Sequence, residues 1–179
     1  MVGLPNTEVN TLVQVGSYLF AGATSGVSRS SDGGSTWSDV NTGLQGKGAV
    51  CLLSQGDTLL LGTQSGLFRS NDQGASWAST GLLNERVQAL ELYGSELYAG
   101  TLSGLYRSTD NGVTWVALAS GPGEGTSSFY VSPTVMLKTS SWGISRSTDH
   151  GVTWTYITNT PGSPSDFAKV GNTLIASYQ

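Results

Sequence analysis

The stretch Ser30-Ser31-Asp32-Gly33-Gly34-Ser35-Thr36-Trp37 decides the fold, because the chain contains it four times with small changes. The other copies are S-N-D-Q-G-A-S-W at 70–77, S-T-D-N-G-V-T-W at 108–115 and S-T-D-H-G-V-T-W at 147–154. Successive aspartates of the consensus S-x-D-x-G-x-[ST]-W are 40, 38 and 39 residues apart. Four copies at one period predict a repeat architecture, in which each period is one structural unit.

The segments around each copy repeat as well. An alternating run ending in Arg precedes each copy, at 26–29, 66–69, 104–107 and 143–146. Two further short runs rich in β-branched and aromatic residues come before it, and a fourth follows each Trp; Gly or Ser separates them, as expected for strands joined by turns. Four short antiparallel strands in about 40 residues are typical of one propeller blade. The sequence therefore predicts an all-β protein, a β-propeller of four-stranded antiparallel blades. We name the strands of a blade A to D from the axis outward.

The period divides the chain into four complete blades and a half blade. The predicted blades are 9–40, 48–79, 86–118 and 126–157, with a partial fifth blade at 165–179 that holds strands A and B alone. Three arrangements stay open. The ring closes with five blades, patched by residues 1–8; chains associate through the incomplete blade into a larger closed assembly; or the chain is a piece of a longer propeller.

The repeated phrase has the chemistry of a tight turn between strands C and D. Asp and Ser or Thr side chains bond to nearby backbone groups, Gly permits a positive φ, and the Trp that opens strand D packs on the sheet. The residues predicted to have this structural role are Asp32, Gly34, Trp37, Asp72, Gly74, Trp77, Asp110, Gly112, Trp115, Asp149, Gly151 and Trp154. The alternative role for the aspartates is metal binding. We expect no metal and no cofactor, because a repeated turn needs no other reason to repeat.

The phrase resembles the Asp-box, or BNR repeat, and this resemblance covers essentially the whole chain. Asp-box proteins include sialidases, xyloglucan-degrading glycoside hydrolases, sortilin-type receptors and a photosystem assembly factor. The resemblance implies a sialidase-like propeller in which the box is a structural hairpin remote from any active site. It also favours an extracellular or secreted location and suggests a bacterial repeat protein, but it implies enzymes and binding proteins equally.

Composition excludes several classes of function. Eight Lys plus Arg and a net charge of −4 leave no basic surface for nucleic-acid phosphates. A single Cys and a single His exclude an intrachain disulfide and a Cys/His zinc site. No apolar run approaches the length of a membrane span, and residues 1–8 lack the features of a signal peptide.

The resemblance does not extend to the catalytic residues of a sialidase, which needs three arginines around the substrate carboxylate. Four of the five arginines, Arg29, Arg69, Arg107 and Arg146, occupy one repeat position and are expected to share a structural role. Only Arg86 is therefore left to bind a substrate carboxylate, where a sialidase needs three arginines. His150 lies at a variable position of its box, so a Ser/His triad is not expected. We predict that the chain is not an enzyme.

Acidic residues in the D-to-A connections keep a hydrolase open as the alternative. Connections D-to-A and turns B-to-C should share one face of a propeller, which would gather Glu8, Glu85, Glu124 and Asp166, with Lys47 in the remaining connection. These acids could form a catalytic pair, a cation site or merely solvated loop charges. Nothing around them in sequence predicts the raised pKa that acid catalysis demands.

Trp142 is the most unusual residue of the same face. The B-to-C turns read A-T-S-G, T-Q-S-G and T-L-S-G in the first three repeats and T-S-S-W-G at 139–143, which we interpret as the insertion of a Trp. An exposed Trp suits a sugar ring or a partner side chain, whereas a buried one would cover a neighbouring blade. We therefore predict a ligand-binding face with Trp142, Glu85 and Glu124. The expected function is a non-enzymatic scaffold that presents loops to a protein or carbohydrate partner; the alternative is a glycan-active hydrolase, or a fragment of one.

Overall fold

The computed structural model describes residues 4, 8–119, 125–158, 160, 164–170 and 173–178. Within them the regular elements are eighteen β-strands in five antiparallel sheets. Blade 1 contains β1 (Val9–Val15), β2 (Tyr18–Ala23), β3 (Gly26–Ser30) and β4 (Ser38–Asp39). Blade 2 contains β5 (Ala49–Gln55), β6 (Thr58–Thr63), β7 (Gly66–Ser70) and β8 (Ala78–Ser79). Blade 3 contains β9 (Val87–Tyr93), β10 (Glu96–Thr101), β11 (Gly104–Ser108) and β12 (Val116–Ala117). Blade 4 contains β13 (Phe129–Val131), β14 (Met136–Ser140), β15 (Gly143–Ser147) and β16 (Thr155–Tyr156). Blade 5 contains β17 (Asp166–Val170) and β18 (Thr173–Ser177).

The all-β propeller prediction is confirmed: four sheets have the strand order A-B-C-D, and the fifth has A and B. The outermost strands are shorter than expected. Strand β4 pairs with β3 through only two residue pairs, Ser28 with Asp39 and Arg29 with Ser38, before the chain leaves for the next blade. Each box Trp therefore precedes strand D by one residue and does not open it. The described residues form no helix capable of crossing a membrane.

Successive blades pack through their innermost strands. The packed pairs are β1 with β5, β5 with β9, β9 with β13 and β13 with β17. We call the side of a blade that meets the next blade in sequence its forward face, and the opposite side its rear face. The joint between blades 1 and 2 shows the pattern: Phe20 and Val27 of the first blade form one hydrophobic core with Ala49, Leu61 and Phe68 of the second.

A glycine in strand B allows each joint to close tightly. A Cβ at Gly22 would lie 2.7 Å from the Cβ of Ala49, and a Cβ at Gly62 would lie 2.9 Å from a methyl carbon of Val87. Such separations are too short for real carbon contacts. The repeated glycine thus lets the first strand of the next blade approach the sheet directly.

Each box is closed by its aspartate, as box 3 illustrates. The Asp110 carboxylate accepts hydrogen bonds from the Thr114 N–H at 2.8 Å, the Thr114 hydroxyl at 2.6 Å and the Ser108 hydroxyl at 2.8 Å. Ser108 Oγ in turn accepts from the N–H of Gly112 at 2.9 Å. The same bonds recur in the other three boxes. The bond from the hydroxyl four residues ahead is the main reason that the pKa of each box aspartate is lowered from 3.8 to about 2.

The boxes also belong to the joints between blades, which the sequence did not predict. The indole N–H of Trp77 donates to the carbonyl of Val40, which follows strand D of the preceding blade, at 2.8 Å. One blade later, the Thr80 hydroxyl donates to the carbonyl of Gly112. At the next joint Ala119 N–H donates to the carbonyl of Gly151 at 3.2 Å. A box therefore fastens its own hairpin and receives the connection that arrives from the blade before it.

Stability should depend on pH through the box carboxylates. Their folded pKa of about 2 lies below the ordinary value of 3.8, so their contribution is complete above about pH 4 and is lost as the pH falls towards 2. We expect the free energy of unfolding, measured by urea denaturation with Trp fluorescence, to fall across this window. Asp110→Asn should reduce the fall by about a quarter, since one of four equivalent groups no longer titrates. Asp57→Asn, in the exposed β5–β6 turn, is the control, and an undiminished fall in Asp110→Asn would contradict the prediction.

The close contact at the joints can be tested with two glycines of one connection. Gly43 and Gly46 both have positive φ, 93° and 75°. A Cβ at Gly43 would overlap the carbonyl oxygen of Trp77 in the next box, whereas a Cβ at Gly46 meets nothing within 4 Å. Gly46→Ala should cost about 1–2 kcal/mol of backbone strain, and Gly43→Ala about 1–3 kcal/mol more because it forces blades 1 and 2 apart. Equal losses in the two variants, measured by chemical denaturation, would show that the joint tolerates the extra carbon.

Candidate functional site

The B-to-C turns and the D-to-A connections lie on one face of the protein, here called the loop face. The N–H of Gly66 in a B-to-C turn donates to the carbonyl of Glu85 in the following connection at 2.7 Å. Lys47 Nζ, from the preceding connection, reaches the hydroxyl of Ser65 in the same turn at 2.6 Å. The expected gathering of turns and connections is therefore present in the described residues.

Trp142 occupies a turn of ordinary length, so the interpretation as an insertion is wrong. Ser140 pairs with Gly143 just as Thr101 pairs with Gly104, which leaves two residues in each turn. The N–H of Trp142 donates to Ser140 Oγ at 3.3 Å, as the N–H of Ser103 donates to Thr101 Oγ1 at 3.1 Å. Trp142 thus replaces a serine of the repeat. The sequence suggests an insertion because the first three repeats have a glycine in strand B, at Gly22, Gly62 and Gly100. Blade 4 has Thr139 at that position, so the glycine pattern gives no reference point for aligning its turn.

The Trp142 side chain points into solvent from a backbone that is held in place. Its residue exposure is 66%, so it does not cover a neighbouring blade. The hydroxyl of Tyr156, in strand D of the same blade, donates to the Trp142 carbonyl. Gly143 follows with a φ of 123°, and a Cβ there would lie 2.9 Å from the Tyr156 hydroxyl. The turn is fixed while the indole stays available for contact.

Two leucines add apolar area to the loop face. Leu102 is exposed in the B-to-C turn of blade 3, and Leu83 is exposed in the connection between blades 2 and 3. Exposed aliphatic side chains on the same face as an exposed Trp are the composition expected of a protein-binding surface. We refer to Leu83, Leu102 and Trp142 as the apolar trio.

The predicted acids do not converge on Trp142. Glu85 is half-buried, and its charge adds to desolvation in raising the pKa of Tyr106. Asp166 accepts from the Ser128 hydroxyl at 2.9 Å and from the N–H of Phe167 at 2.8 Å, while Glu8 is exposed. Glu124 lies outside the described residues. No hydrogen bond joins Glu85 to Trp142, both of which are described, so the predicted grouping of these two residues rests on their shared face alone.

A different acid, Glu91, has the unusual environment. It pairs with Tyr98 in the sheet of blade 3, at the position that Val13 and Leu53 occupy in blades 1 and 2. Burial raises its pKa from 4.5 to about 7, although the N–H of Val131 in the next blade stabilises the carboxylate; the charge of Asp166 raises it further. Glu91 is not among the predicted site residues, because those acids lie in the connections and Glu91 lies within strand β9. Aligning the repeats strand by strand would have shown one carboxyl among apolar residues.

Lys138 is a second charge at the joint between blades 3 and 4. It stands where the earlier blades have Ala21, Leu61 and Ala99, it is 1% exposed, and burial lowers its pKa. Its ammonium lies 5.2 Å from the ring centroid of Trp154, so the box tryptophan provides a cation–π contact. No ion pair joins Lys138 to Glu91. Among the described residues, no group of three or more His, Cys, Asp or Glu side chains is placed to hold a metal ion.

Two of the box arginines, Arg29 and Arg107, make contacts within or between blades. Arg29 donates to the carbonyl of Gln73 in the next box at 2.9 Å, and its guanidinium lies 4.9 Å from the ring centroid of Tyr18. Arg107 forms an ion pair with Glu96 at 3.6 Å. These contacts agree with the structural role expected for Arg29 and Arg107.

A sequence model of the BNR/Asp-box repeat matches residues 106–117, which span the third box. The third box therefore matches the BNR/Asp-box repeat. No curated protein matches it. The extracellular domain of a one-component system from B. thetaiotaomicron superposes with a TM-score of 0.76 at 16% identity, over 97% of this chain and 27% of that one. YCF48 from Cyanidioschyzon merolae gives 0.69 at 18%, over 96% and 63%. An ancestral GH74 enzyme gives 0.70 at 16%, over 87% and 24%.

These similarities establish the propeller fold of this chain and nothing finer. The chain spans between a quarter and two thirds of the length of the structures named. Enzymes and other proteins occur among them, as the fold alone would allow.

Glu91 should give the protein a stability that falls as the pH rises. A folded pKa near 7 lies above the ordinary 4.5, so the folded state holds the proton longer and loses stability between about pH 4.5 and 7. Glu91→Leu, which restores the residue of blade 2, should remove this slope and raise stability most at pH 8. Glu91→Gln should remove the slope with little change in volume. Urea denaturation curves at pH 4.5 and 8 measure both, and an unchanged slope in both variants would contradict the assignment.

Proposed function

We propose that this chain is a non-enzymatic scaffold that binds a protein partner through its loop face, with Trp142 as the central contact. The observation that carries the proposal is the replacement of a turn serine by a Trp that is two-thirds exposed. Its backbone is fixed by Tyr156 and Ser140, so little conformational entropy is lost when the indole is buried by a partner. Tryptophan is among the side chains that contribute most to protein interfaces.

The surroundings of Trp142 favour a protein over a carbohydrate. Leu83 and Leu102 add exposed aliphatic side chains to the same loop face, and such side chains pack against apolar side chains of a protein. A sugar site would need polar groups arranged beside the aromatic ring to bond to hydroxyls, and the described hydrogen bonds show none aimed at the indole. A similar structure, at a TM-score of 0.67 and 18% identity over 87% of this chain and 56% of that one, is YCF48 bound to a D1 peptide. That complex is a precedent for peptide binding by a protein of this fold.

The location proposed with this function is extracellular. The Asp-box resemblance favours secretion, and the similar domain from B. thetaiotaomicron is extracellular in its own protein. Because Cys51 is the single cysteine, no intrachain disulfide stabilises the propeller, and its turns are held by hydrogen bonds.

A glycan-active hydrolase is the second candidate, and Glu91 is the observation that favours it. A carboxyl with a raised pKa close to a second carboxyl, Asp166, is the arrangement that acid and base catalysis uses. Glu91 accepts from a backbone N–H across a blade joint, however, and this contact also explains a purely structural carboxyl. The similar GH74 enzyme is four times longer than the part that this chain matches.

Trp142→Ser tests the binding proposal without disturbing the fold, since serine is the residue of the other repeats. On an array of peptides displayed at constant density, we expect the wild-type chain to retain a set of ligands that Trp142→Ser binds at least about 30-fold more weakly. Val152→Ser, an equally exposed apolar residue of the fourth box, is the matched control and should bind like the wild type.

Two outcomes would overturn the proposal. One is a set of peptide ligands whose affinity is the same for Trp142→Ser and the wild type. The other is glycosidase turnover by the wild-type chain on chromogenic glycosides that Glu91→Gln abolishes and Trp142→Ser preserves. The second outcome would replace the scaffold with the hydrolase.

A further inference from the structure

All the joints between blades are built in the same way, and the first and last described blades each have one face that takes part in no joint. In each joint, the forward face of one blade packs on the rear face of the next, with the same strand positions in contact each time. Blade 1 has no described blade behind its rear face, and blade 5 has none before its forward face. Among the described residues, the innermost strands β17 and β1 do not form a packed pair like those of the joints.

On the rear face of blade 1, two apolar residues of the innermost strand β1 are exposed. Val9 occupies the register position of Ala49 and Val87, and it is 41% exposed where they are 2% and 0% exposed. Leu12, at the position of Leu52 and Leu90, is 61% exposed. Leu52 and Leu90 pack against the cores of their joints. The innermost-strand positions that pack into the joints in blades 2 and 3 are therefore exposed in blade 1.

The forward face of blade 5 is the complementary surface. Ile175 pairs with Ala168 as Phe20 pairs with Val13, so Ile175 holds the position of a core residue. It is 49% exposed, whereas Phe20 is fully buried. Val170, at the position of the buried Val15, is also exposed. By contrast, Phe167 and Leu174, on the rear face towards blade 4, are half-buried.

We propose that the forward face of blade 5 binds the rear face of blade 1 of a second copy of this chain, head to tail. The occupant is a second copy because each open face is one half of a joint that the chain builds internally, and continuity with those joints supplies the matching half. The contact is heterologous, joining two different surfaces, so it either closes a ring of chains or propagates. Among the described residues, strand β18 pairs with β17 alone, so its other edge can add backbone hydrogen bonds to the same interface.

The proposal predicts a mass larger than that of one chain. Light scattering after size exclusion of the 179-residue protein, from about 1 µM upwards, should give a discrete multiple of 18.6 kDa. Leu12→Asp and Ile175→Asp should each yield monomers with unchanged far-ultraviolet circular dichroism. Val116→Asp, exposed on an outermost strand of blade 3, is the control and should keep the mass of the wild type.

Mixing the two variants separates head-to-tail contact from other arrangements. Leu12→Asp keeps an intact blade 5 face and Ile175→Asp keeps an intact blade 1 face, so an equimolar mixture should form a one-to-one dimer. A mixture that stays monomeric, or a wild-type chain of 18.6 kDa at every concentration, would overturn the proposal. If a variant loses its dichroism, Val9→Asp replaces Leu12→Asp and Val170→Asp replaces Ile175→Asp. The test is independent of peptide binding, because Trp142→Ser leaves both faces unchanged.

Discussion

The carboxylate of each box aspartate, bonded to the N–H and hydroxyl four residues ahead, is the interaction on which the rest of the structure depends. It holds the C-to-D turn in one conformation, which places a glycine carbonyl and a tryptophan at the boundary with the preceding blade. The connection arriving from that blade then bonds to the turn, as Trp77 does with Val40 and Gly112 with Thr80. A local bond between residues close in sequence therefore determines the spacing of whole sheets. It also explains why a chain with few charges folds through hydrogen bonds and apolar joints.

The sequence predicted the features that the repeat states directly. Strand order, blade number and the loop face follow from short runs and turns at one period, since such runs depend on neighbours in sequence. The predictions were wrong where the pairing register of the strands determines the position of a residue. Trp142 was interpreted as an insertion because Thr139 interrupts the glycine pattern, and only the pairing of Ser140 with Gly143 shows the true turn. The environment of Glu91 depends on Val131 and Asp166, which are 40 and 75 residues away, so no local pattern could predict it.

The departures from the repeat are concentrated in the second half of the chain. Glu91 and Lys138 replace apolar residues at the joint of blades 3 and 4, and Thr139 replaces the glycine that lets the other joints close. Ser128 donates to the Asp166 carboxylate across the following joint, whereas Thr11, at the same position in blade 1, accepts from the N–H of Leu52. Buried charges reduce the stability of a joint unless their partners compensate for desolvation. Blades 3 to 5 thus combine the polar joints with the exposed Trp142, whereas blades 1 and 2 have the regular apolar core.

The open faces at the two ends follow from the same repetition. In a repeat protein, stability is close to a sum of blade terms and joint terms, and among the described residues blades 1 and 5 each take part in one joint while the other blades take part in two. Blade 5 is the more affected, because it has two strands and packs on blade 4 through a joint already rich in polar groups. Contact with blade 1 of another copy would bury Ile175 and Val170 against Leu12 and Val9, which restores the apolar joint of blades 1 and 2. That gain must exceed the loss of translational and rotational freedom on association. Because the contact between copies has the same structure as an internal joint, the strength of the internal joints determines whether chains assemble.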